Sequence, residues 1–159
     1  MRIYLIGIGG VSMSGIAQML AKEGCIVSGS DRSASALTEK LTSLGITVHV
    51  GHNADNVKDC DLVVYSAAIG EDNPERVRAR ELSIPEVDRA QMLGAIMKEY
   101  ECPIAISGTH GKTTTSGMLT HVFMECGKNP TVTVGGELDI IRGNVHLGDK
   151  KYFIAEACE

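Results

Sequence analysis

Nowhere in the 159 residues does an apolar run reach the length needed to cross a bilayer, so no membrane-spanning helix is expected. A basic excess is missing too: 15 Lys and Arg stand against 20 Asp and Glu, a net charge of -5. That balance argues against non-specific nucleic-acid binding. Any phosphate ligand must then be held by local amides and a few cations rather than by a basic face. The five cysteines (Cys25, Cys60, Cys102, Cys126, Cys158) are odd in number and include no C-x-x-C pair. This speaks for reduced cytosolic thiols over a disulfide framework or zinc site. Met1-Arg2-Ile3 leads into a strand pattern instead of a signal-peptide apolar region, so the protein is expected to stay in the cytoplasm. Aromatics are scarce, at 4% with no tryptophan, and the remainder (43% hydrophobic, 22% charged, 18 glycines) suits a soluble α/β protein.

The most informative stretch that is present runs from Ile104 to Thr114, Ile-Ala-Ile-Ser-Gly-Thr-His-Gly-Lys-Thr-Thr. An apolar run after Pro103 gives way to two glycines and Lys-Thr-Thr, and Met118, Leu119, Val122 and Phe123 then follow at helical spacing. Strand, tight loop and helix in that order form a phosphate-binding loop, an ATP site made of Gly108, Thr109, His110, Gly111, Lys112, Thr113 and Thr114. Lys112 would reach the outer phosphates as the catalytic cation, and the Thr113 hydroxyl could ligate Mg²⁺. The common G-x-x-x-x-G-K-[ST] pattern would need glycine at position 106, which is Ile106. The loop is therefore the shorter G-T-x-G-K-T, which resembles the ATP loop of the Mur ligases and their relatives. An ordinary strand-to-helix turn is the bland alternative.

The chain opens with a strand, Arg2 to Ile8, that breaks at Gly7-Ile8-Gly9-Gly10. Met13, Ile16, Ala17 and Leu20 mark a helix from about Ser12 to Glu23 that stops at Gly24. Further strands are predicted over Cys25 to Gly29, Ile46 to Val50 and Asp61 to Ser66, with a helix carrying Leu37, Leu41 and Leu44 between the first two. This alternation predicts βαβ units and a parallel sheet covered on both faces, whose ligands bind beyond the C-terminal strand ends. Gly7 to Gly10, Asp31 and Ser66-Ala67-Ala68 fall on that edge. The glycine turn nearly spells G-x-G-x-x-G, and Asp31 lies about twenty residues on. An NAD-binding Rossmann module and a turn serving only sheet-helix packing both stay open.

A helix of mixed charge follows Asn73-Pro74-Glu75, and Ile84-Pro85-Glu86-Val87 leads to Asp88, an expected N-cap with Gln91 at N3. Cys102-Pro103 disfavours helix at its first residue, so Glu99 to Cys102 is the expected linker between domains at 1–100 and 101–159. The fold class is thus α/β: a Rossmann-like parallel-sheet domain followed by the start of a P-loop ATP-binding domain.

Gly7 to Gly15, Ser30-Asp31, Ser66 to Ile69 with Asn73-Pro74-Glu75, and the Gly108 loop follow one another in an order and at separations that resemble the Mur ligase family along the whole chain. Within that family the pattern resembles the branch that joins L-alanine to UDP-N-acetylmuramate. The resemblance implies a UDP-sugar site in residues 1 to about 100, with the diphosphate near Gly9 and Gly10 and with Asp31, Ser66 and Ala67 toward the uridine. It adds Gly136 and Asn144 from the later Gly-Gly and Gly-x-Asn segments, for which a hairpin turn is the alternative. It further implies ATP and Mg²⁺ as cofactors, and phosphorylation of the lactyl carboxylate followed by attack of the L-alanine amine. A second metal ligand is expected at Glu156, an acid at the end of the strand Tyr152 to Ala155 beside the phosphate loop. The family commonly reads Glu-Ala-Asp-Glu here. Cys158 replaces the third of these, leaving the metal role on Glu156 and less of it on Glu159. His49 and His52 lack the further ligands of a zinc site; His52 is expected near the nucleotide. Too few strands follow Pro103 for a complete ATP domain, so the chain is expected to be an N-terminal fragment, inactive alone. A muropeptide-recycling member of the same family is the competing reading within the class.

Overall fold

The structure is a computed structural model that describes residues 1–157; Cys158 and Glu159, and the roles expected of them, lie outside the described residues. The chain forms two compact units, Met1–Met92 and a second one beginning at Leu93.

The first unit is a five-stranded sheet of β1 (Arg2–Ile6), β2 (Ile26–Asp31), β3 (Thr47–Val50), β4 (Leu62–Tyr65) and β5 (Glu86–Asp88), in the order β3-β2-β1-β4-β5. All neighbours are parallel. Helices α1 (Val11–Lys22), α2 (Ala36–Ser43) and α3 (Pro74–Glu81) connect them, and α4 (Arg89–Met97) leaves β5. The central place of β1 follows from its composition: Ile3, Tyr4, Leu5 and Ile6 are each 2% exposed or less, so the strand is apolar on both faces. It ends at Ile6, two residues before the expected end, because Gly7 turns the chain at φ 82. Strand β2 runs on to Asp31 instead of stopping at Gly29. Helix α1 is buried continuously from Met13 to Leu20, more than the apolar stripe called for. Its polar members turn inward on the backbone: Gln18 Nε2 donates to the Ser14 carbonyl at 3.1 Å, and Ser14 Oγ to that of Val11 at 2.9 Å.

Strand β5 had no signal in the sequence. It is three residues long and half-buried, too short for alternation to register, and is fixed by pairing Val64 with Val87 and Tyr65 with Asp88. Asp88 still caps α4 as expected, its Oδ1 accepting from Gln91 N–H at 2.8 Å while Gln91 Oε1 accepts from Asp88 N–H at 3.0 Å.

In the second unit β6 (Cys102–Ile106), β7 (Thr131–Leu138), β8 (Gly143–His146) and β9 (Tyr152–Glu156) form a four-stranded sheet in the order β6-β9-β7-β8, with α5 (Lys112–Glu125) following β6. Strands β6, β9 and β7 are parallel and β8 is antiparallel to β7. Val132, Val134 and Ile154 make its buried centre, with Ile104, Ile106, Leu119 and Phe123 packed against them. The segment read as a linker is ordered by its own bonds: Tyr100 stacks edge-on against Phe153 with centroids 4.8 Å apart, and Glu101 N–H donates to the Lys150 carbonyl at 3.1 Å. Gly135-Gly136 is not a hairpin turn. Both glycines lie inside β7, where its register with β8 shifts, and the chain reverses later through Asp139–Ile141 and Arg142 at φ 51. No described helix is long and apolar enough to cross a membrane.

Candidate functional site

In the first unit the strand order reverses about β1, with the β2 connection on one side and β4 on the other, which is where a doubly wound sheet opens a crevice. A cleft of about 670 Å³ lies there, walled by the Gly7–Gly10 turn, Asp31 to Ser33, Ser35, His52, Ser66 and the 68–74 loop. The turn is clamped to the end of β2: Gly7 and Ile8 N–H donate to the Ser30 carbonyl at 2.8 and 3.0 Å, and Gly9 N–H donates to Asp31 Oδ2 at 2.8 Å. A Cβ on Gly9 would come within 2.8 Å of that oxygen and 2.9 Å of Thr38 Cγ2, so glycine is required by space. Gly10 N–H is also engaged, with the Gly7 carbonyl at 3.2 Å. Gly9 and Gly10 therefore shape the cleft, their own amides already being bound within the chain. Ser66 is on the wall, whereas Ala67 is exposed and Ala68 takes its place.

Helix α1 opens on this cleft with Gly10 as N-cap, no side-chain cap and no acid in its first turn. The neighbouring helices differ: Ser35 caps α2 in a capping box and Asn73 caps α3. A glycine cap keeps the positive end of the helix open to an anion, where a side-chain oxygen would occupy it. Arg32 and His52 are the wall residues able to carry positive charge, and Asp31 and Asp72 the negative ones.

Under the wall lies a polar cluster that sequence reasoning missed. Glu75, fully buried, accepts from Tyr4 Oη at 2.8 Å, Asn56 Nδ2 at 2.8 Å, Ser30 Oγ at 2.5 Å and Asn53 N–H at 3.4 Å, and pairs with His52 Nδ1 at 2.9 Å. Burial, reinforced by the Glu75 charge, pushes the Tyr4 phenol far above its ordinary 10.0. An acid just after Asn-Pro reads as a solvated first-turn residue, so the sequence held no signal that Glu75 would face inward.

In the second unit α5 repeats the arrangement of α1. Its N-cap is Gly111 in the left-handed region at φ 76, without a side-chain cap or first-turn acid. Lys112 folds back, its Nζ donating to the Gly108 carbonyl at 2.6 Å, while Thr109, His110 and Thr114 are exposed. Glu156 pairs with Ile106 across the C-terminal ends of β9 and β6, beside the start of the loop. Gly135 and Gly136 connect the remaining pieces: a Cβ on Gly136 would lie 3.3 Å from Thr113 Cγ2, and one on Gly135 3.0 Å from Glu156 Oε2. Asn144 is buried in β8.

Glu156 is 6% exposed and its Oε1 has no hydrogen-bond partner among the described residues. A carboxylate oxygen left so is costly unless a cation meets it. The described residues contain no group of three His, Cys, Asp or Glu placed to hold a metal. A hydroxyl and one carboxylate nevertheless suit Mg²⁺, which completes its shell with phosphate oxygens and water. His146 Nε2 meets Asn129 Oδ1 at 2.9 Å.

Comparison with known proteins gives consistent results. Residues 2–101 match the model described as "Mur ligase family, catalytic domain". A UDP-N-acetylmuramate--L-alanine ligase of Clostridium novyi is 53% identical over 158 residues, covering 99% of this chain and 34% of that protein. The enzyme of the same name from Acetivibrio thermocellus is 52% identical over 157 residues, with the same coverages. The chain thus spans about a third of the length of these relatives. Among solved structures, a UDP-N-acetylmuramate-alanine ligase of Thermotoga maritima aligns with a TM-score of 0.91 at 39% identity, over 98% of this chain and 36% of that one. A murein peptide ligase of Psychrobacter arcticus also aligns at 0.91, with 26% identity, over 100% of this chain and 38% of that one.

Proposed function

Because the chain belongs to the Mur ligase family, we propose that it is the UDP-sugar-binding and phosphate-loop portion of an ATP-dependent ligase that joins L-alanine to UDP-N-acetylmuramate. The observation that carries this reading is the recurrence of one device: in each unit a glycine turn leads into a helix without a side-chain cap or first-turn acid. Each helix offers its positive end to phosphate, one for the diphosphate of the sugar nucleotide and one for ATP. Asp31 and Ser66 line the first cleft; Ala67, Gly136 and Asn144 are carried in the same proposal as sugar-nucleotide residues on sequence grounds. The relatives at 52% and 53% identity bear the alanine ligase name, which favours L-alanine over a peptide as second substrate.

In the whole enzyme the γ-phosphate passes from ATP to the lactyl carboxylate, and the alanine amine attacks the acyl phosphate and expels phosphate. Lys112 swings from the Gly108 carbonyl to the transferring phosphoryl group, whose charge it offsets together with the loop amides. Thr113 and Glu156 would hold Mg²⁺, which supplies charge neutralisation at the phosphates. ATP and a UDP-sugar as substrates place the work in the cytoplasm.

Lys112→Ala in the full-length enzyme is expected to lower kcat at least about a thousandfold, the scale of losing a main transition-state cation, with UDP-N-acetylmuramate affinity within twofold of wild type. Single-turnover kinetics and calorimetry read the two quantities. Retained turnover would remove the loop from the mechanism. Calorimetric binding of NAD in preference to the UDP-sugar by the 159-residue chain would replace the ligase reading with a dinucleotide module.

A further inference from the structure

Glu75 stands in the first turn of α3, behind the cap of Asn73, and none of its surface reaches solvent. Its described partners come from four other places: Tyr4 on β1, Ser30 on β2, His52 and Asn53 after β3, and Asn56 in the turn beyond. Among them only His52 can carry a positive charge, and only His52 also belongs to the wall of the cleft.

The geometry decides which nitrogen of the ring does what. Nδ1 lies 2.9 Å from Glu75 Oε2, an oxygen that as carboxylate only accepts. Ser30 Oγ, 3.0 Å from the same nitrogen, has already directed its proton to Oε2 and offers Nδ1 a lone pair. Both neighbours require a proton on Nδ1, whatever the charge of the ring. Nε2 is then the nitrogen His52 has for the cleft: an acceptor in the neutral ring, a donor in the imidazolium.

We propose that Glu75 is a positioning residue for the sugar-nucleotide site, holding His52 by Nδ1 so that the protonated ring donates from Nε2 to the ligand diphosphate. This rests on the UDP-sugar reading of the cleft. The carboxylate is thus more than a core bond: it sets the tautomer and direction of a wall cation. The other ionisable groups around the ring are Asp31 and Arg32 after β2, Asp72 before α3, His49 beside Ser30 on β3 and Asp55 in the following turn. Tyr4 donates to Glu75 behind the ring and stays neutral.

Calorimetry of the 159-residue chain with UDP-N-acetylglucosamine tests this, because the ligand's diphosphate diester does not titrate between about pH 5.5 and 8.5 while histidine does. Wild type is expected to bind about tenfold more tightly at the lower pH, the worth of one charge-assisted hydrogen bond. His52→Gln is expected to bind without that dependence. Glu75→Gln is expected to flatten it too, since the amide can donate to Nδ1 and leave the ring neutral. A ¹⁵N measurement on unsubstituted protein reads the tautomer without any variant and is expected to find Nδ1 protonated at both pH values, with Nε2 shifting on ligand addition. A flat wild-type profile, a slope retained in either folded variant, or a ring protonated on Nε2 alone overturns the proposal. Absence of UDP-sugar binding at every pH overturns the reading of the cleft itself, and this inference with it.

Discussion

At the scale of single residues the first unit depends on how one buried negative charge is satisfied. Tyr4 donates to Glu75 from the central strand, and both are almost wholly buried. Tyr4→Phe keeps the ring and deletes the donor; Asn56 and Asn53 still reach the same oxygen. Denaturant unfolding at pH 7 is therefore expected to show a loss of about 1–3 kcal/mol, the range for a hydrogen bond to a charged group. The pH dependence adds a second signature. Burial first, and then the Glu75 charge, raise the phenol of the folded protein above 10.0, so above that pH the unfolded chain releases a proton that the folded chain keeps. Stability from this group is present below pH 10 and falls as the pH rises beyond it, by roughly 1.4 kcal/mol per unit. The Phe variant lacks this contribution, so its curve is expected to run flatter than wild type above pH 10. Parallel curves would mean that Tyr4 titrates freely.

At the scale of elements, close approach of strands and turning of the chain require glycine for different reasons. Gly29 sits in β2 opposite Leu5, and a Cβ there would lie 2.3 Å from the Leu5 carbonyl oxygen and 2.9 Å from Ile8 Cδ1. Gly24, at the end of α1, has open space around it and a φ of 82. Gly29→Ala is expected to cost about 3 kcal/mol or more by forcing the strands apart. Gly24→Ala is expected to cost only the roughly 1–2 kcal/mol of the left-handed backbone. Thermal unfolding of both variants checks the order; equal losses would argue that backbone conformation governs Gly29 as well. The sequence was legible at this scale where periodicity is long or a cap is strong. The α1 stripe, the Asp88–Gln91 cap and the loop before α5 could all be read from it. Strand β5 could not, being three half-buried residues, nor β8, whose four residues pair antiparallel to β7. Gly135-Gly136 left two readings open, since a glycine pair signals a turn as strongly as it signals the close approach seen at Thr113 and Glu156. His52 could be singled out from the sequence, but Glu75 behind it could not, because inward orientation of a first-turn acid is set by tertiary packing.

At the scale of the whole molecule, two compact units should answer two ligands separately. The family match covers residues 2–101 and ends before β6, while the uncapped α5 and the unpartnered Glu156 oxygen lie beyond it. A ligand that binds only the folded first unit stabilises it by mass action, about 2.7 kcal/mol at a hundred times its dissociation constant. Amides of β1, β2 and β4 that exchange through opening of that unit are then expected to slow by up to about a hundredfold when UDP-N-acetylmuramate is added. Amides of β6 and β9, which hold none of the proposed sugar-nucleotide residues, are expected to keep their rates. Glu156→Gln supplies the converse case, because an amide relieves the unpaired charge: the β9 amides should slow in the variant without ligand, and those of β1 should not change. Hydrogen exchange followed by mass spectrometry reads both experiments on the same peptides. Protection by the UDP-sugar centred on β6 and β9 would locate the sugar-nucleotide site in the second unit, and faster exchange of β9 in Glu156→Gln would mean that the carboxylate is already satisfied.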